Sequence, residues 1–167
     1  MRRVLVVILV MLSVQLSRAQ FTWAQIGVDG LTCSACTRSV EMSIRKLDFV
    51  DSVAMNLEHT EGKIIFKKGS KVEIEKIAGA VIDAGFSLRY LHAAVILKDV
   101  KISDNYCYSF EGNSYQFVKT ENKTLNGESI IKFLGAKYLS GKEFKSWKPS
   151  LKSNCTGKKA KVYFVTV

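Results

Sequence analysis

Residues 21 to 92 switch between two hydrophobic periods in an order that few folds can accommodate. Thr22, Ala24, Ile26 and Val28 alternate with Phe21, Trp23 and Gln25, the period of a strand with one buried face. Asp29-Gly30 ends that run. Val40, Ile44 and Leu47 then fall at i, i+4 and i+7, on one side of a helix, and Ser34 or Thr37 can cap its start. Val53, Met55 and Leu57 restore the alternation, Glu58 to Gly62 is a turn, and Lys63 to Lys67 is a third strand with Ile64 and Phe66 on one face. Ile74, Ile77, Ala78, Val81 and Ile82 form the apolar stripe of a second helix, which Gly85 stops. Ser87 to Leu91 opens a fourth strand.

The order is β-α-β-β-α-β, the split βαβ arrangement of a ferredoxin-like α+β fold. Right-handed crossovers put both helices on one sheet face. Three connections then share one end: Gly30 to Cys36, the Glu58–Gly62 hairpin and the Gly85-Phe86 turn. Cys33, Cys36, His59 and Phe86 therefore gather there, although they are distant in sequence.

Cys33 and Cys36 sit where a loop enters a helix. Thiolate is the metal-binding form of cysteine, so such a site must favour the deprotonated state. Free backbone N–H groups and the macrodipole at a helix start do that. Two soft sulfurs with no neighbouring His or carboxylate suit Cu(I) or Hg(II). A structural zinc site takes four ligands. Low coordination also leaves a bound ion open to an incoming thiolate. Two other uses of the pair stay open. A thioredoxin-type redox dithiol belongs to another fold, and the only proline, Pro149, lies outside this region. A disulfide between Cys33 and Cys36 is either structural or the resting state of a metal site in an oxidising compartment.

Gly30-Leu31-Thr32-Cys33-Ser34-Ala35-Cys36 between a strand and a helix, with Asp83-Ala84-Gly85-Phe86 closing the second helix, resembles the heavy-metal-associated domain family. The resemblance implies a domain over residues 21–92 that binds Cu(I), or in other members Zn(II), Cd(II) or Hg(II), and passes it on by ligand exchange. It implies that Cys33 and Cys36 are the ligands and that Phe86 packs beside their loop. Thr32 stands where zinc-preferring relatives often carry an acidic residue. Leu31 replaces the usual methionine, a side chain that packs inward, and similar volume should leave binding intact. His59 is expected to be a solvated turn residue and His92 to lie at the domain junction. Met42, Met55 and Trp23 are expected to pack rather than to bind metal.

The chain begins with the marks of an export signal: Arg2-Arg3, an apolar run from Val4 to Leu16 broken by Ser13 and Gln15, and Ser17-Arg18-Ala19 before Gln20. The run falls short of the roughly 20 residues of a membrane span. Residues 1–19 are thus expected to be removed, leaving a soluble protein in the periplasm or outside the cell. Without Arg2, Arg3 and Arg18 the balance is 22 basic to 15 acidic residues, a moderately basic surface that fits nucleic acid, anionic lipid or an acidic protein partner and selects none of them. Arg38, Arg45 and Lys46 near the first helix, and Lys67, Lys68 and Lys71 after the third strand, are candidates for docking an acidic partner domain.

Residues 93–167 resemble nothing specific. Ala93 to Ile102 is a long β-prone run that can continue the fourth strand. Further strands are expected at Tyr106–Phe110, Ser114–Lys119 and Lys161–Val167, with turns at Glu111-Gly112-Asn113 and Asn126-Gly127 and a short helix from Ser140 to Trp147. This is a small β-rich domain; strand density allows a partly open barrel of oligonucleotide/oligosaccharide-binding type and confers no function. Its aromatic residues interleave with lysines, and in an exported protein they form a core with a basic rim, so no nucleic acid is expected. Cys107 and Cys155 can form a disulfide. Asn122-Lys123-Thr124 and Asn154-Cys155-Thr156 are glycosylation sequons in a eukaryotic host. No triad, phosphate loop or carboxylate pair points to an enzyme.

The expected protein is therefore an exported, non-enzymatic carrier of Cu(I), with Hg(II) or Zn(II) as other cargoes. It would exchange metal with a metal-transporting ATPase or another thiol-bearing acceptor. The alternatives are a periplasmic mercury-binding protein, an extracytoplasmic thiol–disulfide protein and an interaction module with a vestigial metal site.

Overall fold

The first alternating run forms β1, Gln20–Asp29, and the cysteine pair leads into α1, Ser34–Arg45. β2 (Val50–Asn56) and β3 (Glu61–Phe66) make a hairpin, α2 spans Ile74–Asp83, and β4 runs from Ser87 to Ile102. These coordinates are a computed structural model that describes residues 19–155 and 161–167. The expected signal segment lies outside the described residues except for Ala19. Thr156 of the second sequon lies outside them too. Among the described residues no helix is long and apolar enough to cross a membrane.

β1 to β4 adopt the expected ferredoxin-like arrangement. β1 pairs antiparallel with β3 and β4, and β2 flanks β3. α1 buries Thr37, Val40 and Ile44, and α2 buries Ile74, Ile77, Ala78, Ala80 and Val81. They share one core with Ala24, Ile26, Val28, Ile64 and Leu91 from the sheet. Each such Val, Leu or Ile contributes roughly 1.5–3 kcal/mol over an exposed position. Met42 departs from expectation. It is 45% exposed, because the buried stripe of α1 leaves it on the outward side.

Four more strands lengthen the same sheet: β5 (Cys107–Phe110), β6 (Asn113–Phe117), β7 (Lys123–Leu134) and β8 (Lys161–Thr166). The order is β2-β3-β1-β4-β7-β8-β6-β5. The later region is β-rich as expected, but its strands form one open sheet with the first rather than a barrel. β4 alone would be an exposed edge with a row of unpaired backbone groups. β7 pairs along it from His92–Lys132 to Ile102–Lys123. The boundary drawn between residues 92 and 93 falls inside β4, so both regions share a strand and a core. Phe21 from β1 joins Phe110, Tyr115 and Phe133 in one aromatic cluster, with ring centroids 5.1–6.3 Å apart.

Asn126-Gly127 is not a turn. It lies within β7, where the register against β4 shifts between Leu97 and Val100. Gly127 (φ +84°) and Asp99 (φ +50°) take left-handed conformations there, as a bulge requires. The expected short helix is α3, Gly141–Trp147, capped by the Ser140 hydroxyl accepting from Glu143 N–H at 3.4 Å. A 3₁₀ turn, Lys148–Ser150, follows. Phe144, Trp147 and Leu151 pack with Phe164 on Val118, Leu134 and Leu139, a small separate cluster.

Candidate metal site

The loop between β1 and α1 is held at both ends. Gly30 takes φ +88°, a left-handed conformation that disfavours any Cβ. A Cβ there would sit 3.6 Å from the Phe86 ring, an ordinary contact, so φ rather than space calls for glycine. Phe86 itself is half-buried and lies against this loop. Leu31 is 5% exposed and pins the loop to the core, while Thr32, Cys33 and Ser34 stay exposed.

The helix cap is Cys33 itself rather than Ser34 or Thr37. Its backbone is extended (φ −146°, ψ 158°) and its Sγ accepts the Cys36 N–H at 3.1 Å. Thr37 turns inward: its N–H and Oγ1 both donate to the Cys33 carbonyl at 3.1 Å. One sulfur is therefore already placed at a free donor of the first helical turn, where a thiolate is stabilised. That turn carries no acidic residue.

Cys33 and Cys36 are joined as a disulfide, with Cα atoms 5.2 Å apart. Two electrons and two protons convert it to two thiols. Among the described residues no group of three or more His, Cys, Asp or Glu side chains could hold a metal ion. The donor set at this loop is two sulfurs, which matches a linear, thiophilic ion and not a closed zinc site.

The β2–β3 turn reaches the same end of the sheet. His59 is exposed in that turn, and its backbone rather than its ring is engaged: its N–H donates to Asn56 Oδ1 at 3.1 Å and its carbonyl accepts from Arg89 Nη2 at 3.1 Å. Arg89 was not anticipated. It also donates to Thr60 Oγ1 at 2.8 Å and lies 3.7 Å from Asp29 and 3.9 Å from Glu61. It thereby ties the turn to the end of β1. An arginine two residues into a β-prone strand, just after the second helix stops, was the available signal.

Beside it, the Tyr90 hydroxyl bonds to Glu61 and holds that carboxyl below its ordinary range. Burial, aided by the Glu61 charge, pushes Tyr90 up to about 12. Gln25 completes the network, donating to Glu61 at 3.1 Å and Tyr90 at 3.3 Å. His92 lies in mid-strand, stacked on Tyr90 at 4.6 Å. Burial and then the Lys132 charge lower its pKa. Trp23 is half-buried on the open face, with Lys63 Nζ 5.0 Å from its ring centroid.

Cys107 and Cys155 are also joined, Cα atoms 5.7 Å apart. They tie the start of β5 to the segment after the 3₁₀ turn. Buried Gln116 holds the same segment, donating to the Lys152 carbonyl and accepting from Asn154 N–H, both at 2.9 Å.

Comparison with known proteins places the site in context. Residues 25–87 match the heavy-metal-associated domain, and that match ends at the start of β4. The chain is 36% identical over 61 residues to the copper chaperone CopZ of Bacillus subtilis, covering 36% of this chain and 87% of that protein. It is 36% identical over 61 residues to the mercuric transport protein periplasmic component of Pseudomonas fluorescens, covering 36% of this chain and 66% of that protein. Against copper-transporting ATPase 1 of Rhizobium meliloti it is 33% identical over 70 residues, 42% of this chain but 8% of the ATPase.

Proposed function

Because the chain belongs to the heavy-metal-associated domain family, we propose that it carries a soft metal ion, Cu(I) foremost, between the Sγ atoms of Cys33 and Cys36. The observation that carries this reading is the cysteine pair at the start of α1, Cys33 exposed and Cys36 half-buried, with one sulfur accepting a first-turn N–H. Reduction opens the pair. Metal then binds as the thiols give up their protons. Because only two sulfurs hold it, an incoming thiolate can add before either leaves, and the ion moves by ligand exchange. Hg(II) suits the same donor set; Zn(II) would need ligands from elsewhere.

Export is part of the same proposal and rests on the leader-like first residues. An oxidising compartment favours the joined form of Cys33 and Cys36, so loading there depends on a reductant or on delivery by a thiol donor. The acceptor is a thiol-bearing protein, such as the metal-binding domain of a transporting ATPase. The protein acts as a carrier and not as a catalyst.

The test is a titration of the reduced mature protein with Cu(I) against a calibrated chromogenic chelator, with Zn(II) and Hg(II) in parallel. One tightly bound Cu(I) per chain is expected. It should vanish in the Cys33→Ser/Cys36→Ser variant and in the oxidised protein, with the fold intact by circular dichroism. Tight binding retained by the double variant would falsify the assignment.

A further inference from the structure

The net charge of the chain is concentrated in its last stretch. From Gln20 to Leu134 the sequence holds 14 basic and 14 acidic side chains, and residues 135–167 hold eight basic and one acidic, Glu143. All eight are lysines. Lys137 and Lys161 pair with Glu75 of α2, and Glu143 pairs with Lys132. Lys158 and Lys159 lie outside the described residues. Lys142, Lys145, Lys148 and Lys152 are exposed and make no ion pair among the described residues.

At about 100° per residue, Lys142, Lys145 and Lys148 fall within one arc of about 120° around α3 and its 3₁₀ extension. Phe144 and Trp147 point the other way, onto Val118, Leu134 and Phe164. Neighbouring strand residues face opposite sides of a sheet. Phe133 and Val165 share the core of α1 and α2, while Leu134 and Phe164 meet α3. The lysines therefore lie on the sheet face opposite α1. Lys119 joins them, with its Nζ 5.1 Å from the Trp147 ring centroid. With Pro149, Ser150 and Lys152 it lines a shallow cleft of about 380 Å³. Asp104 lines that cleft too, and its carboxylate is engaged, accepting the Lys119 N–H at 2.6 Å and the Asn105 amide at 3.0 Å.

We propose that this lysine face rests on the surface of an anionic phospholipid bilayer and holds the folded protein there without spanning it. A protein partner would need an apolar centre to its interface, and no large hydrophobic side chain between residues 135 and 155 is exposed. Nucleic-acid recognition favours the forked arginine, and this stretch contains none. Base stacking needs a bare aromatic face, whereas Trp147 is half-buried beneath Lys119. Lysines along one side of a helix are point charges, which an array of headgroups satisfies without a shaped pocket. α1, with the cysteine pair at its start, is left on the sheet face turned away from the lipid.

The test sediments the mature protein with vesicles of phosphatidylcholine alone or mixed with phosphatidylglycerol, at low ionic strength. Each lysine near an anionic surface raises binding about fivefold, so Lys142→Gln/Lys145→Gln/Lys148→Gln should partition onto the mixed vesicles roughly a hundredfold more weakly than wild type. Lys46→Gln/Lys68→Gln/Lys71→Gln removes the same charge at exposed positions after α1 and β3 and should bind nearly as wild type. So should the α3 triple made with arginine, which keeps the charge. Phosphatidylcholine alone should retain none of them, and binding should collapse near 1 M salt, where the screening length is about 3 Å. Equal weakening by both Gln triples, or weakening by neither, overturns the lysine face. A DNA duplex bound as tightly as the mixed vesicles overturns the bilayer as its partner. Vesicle binding needs no metal, so a chain that fails to load Cu(I) sinks the carrier reading and leaves this one standing.

Discussion

Phe133→Ala should destabilise both halves of the chain together. Phe133 is 0% exposed in β7, yet its ring meets Phe21 of β1 at 6.3 Å, Tyr115 at 6.3 Å, Tyr138 at 5.7 Å and Tyr163 at 5.8 Å. An aromatic side chain of this kind buries roughly 150–250 Å², worth about 4–6 kcal/mol at about 25 cal/mol/Å² as an upper bound. Measured Phe→Ala losses in cores run about 3–5 kcal/mol. At a urea m-value near 2 kcal/mol/M, the midpoint should fall by about 2 M. Single-tryptophan backgrounds report each region: Trp147→Phe leaves Trp23 in β1, and Trp23→Phe leaves Trp147 in α3. Both reporters should show one coincident transition that shifts equally. A shift seen by Trp147 with Trp23 unmoved would refute the shared core, and with it the argument that β4 and β7 fuse the regions.

Three further outcomes follow from named contacts. A Cβ on Gly27 would lie 2.5 Å from the Tyr90 ring, so Gly27→Ala should cost about 1–3 kcal/mol; Tyr90→Ala in the same chain should recover part of it, read as thermal midpoints. Cys107→Ser/Cys155→Ser opens a link of sequence separation 48, worth about 4 kcal/mol in the chain-entropy account, and should leave Cu(I) affinity at Cys33 and Cys36 unchanged by chelator competition. His92 has a folded pKa below its ordinary 6.5 through burial and Lys132, opposed by Glu143 and Glu61. The unfolded chain therefore binds more protons. The His92 contribution is present above pH 6.5 and lost as pH falls through the depressed folded value; His92→Gln should flatten that slope in pH-dependent urea melts.

The order of periods along residues 21–92 determined the ferredoxin-like half, because each element there carries its own apolar stripe and its own stop. Val40 and Ile44, then Ile77, Ala78 and Val81, face the core as their spacing requires, while Ile82, at the margin of that stripe, is 50% exposed. The same local pattern placed the cysteine pair at a strand-to-helix junction, so the candidate site was legible before any tertiary contact. Only the folded chain decided what the later strands do. Their alternation identifies strands but carries no partner, since pairing is set by register and by the open edge of β4, across 21 to 40 residues of intervening chain. That is why a separate barrel was as compatible with the residues as a lengthened sheet, and why Asn126-Gly127 passed for a turn when it is a bulge. The clamp by Arg89 and the cap formed by Cys33 Sγ are contacts between elements distant in sequence or set by one backbone geometry. Periodicity reports which face of an element is apolar; what meets that face, and which charges end up beside the cysteines, depends on packing alone.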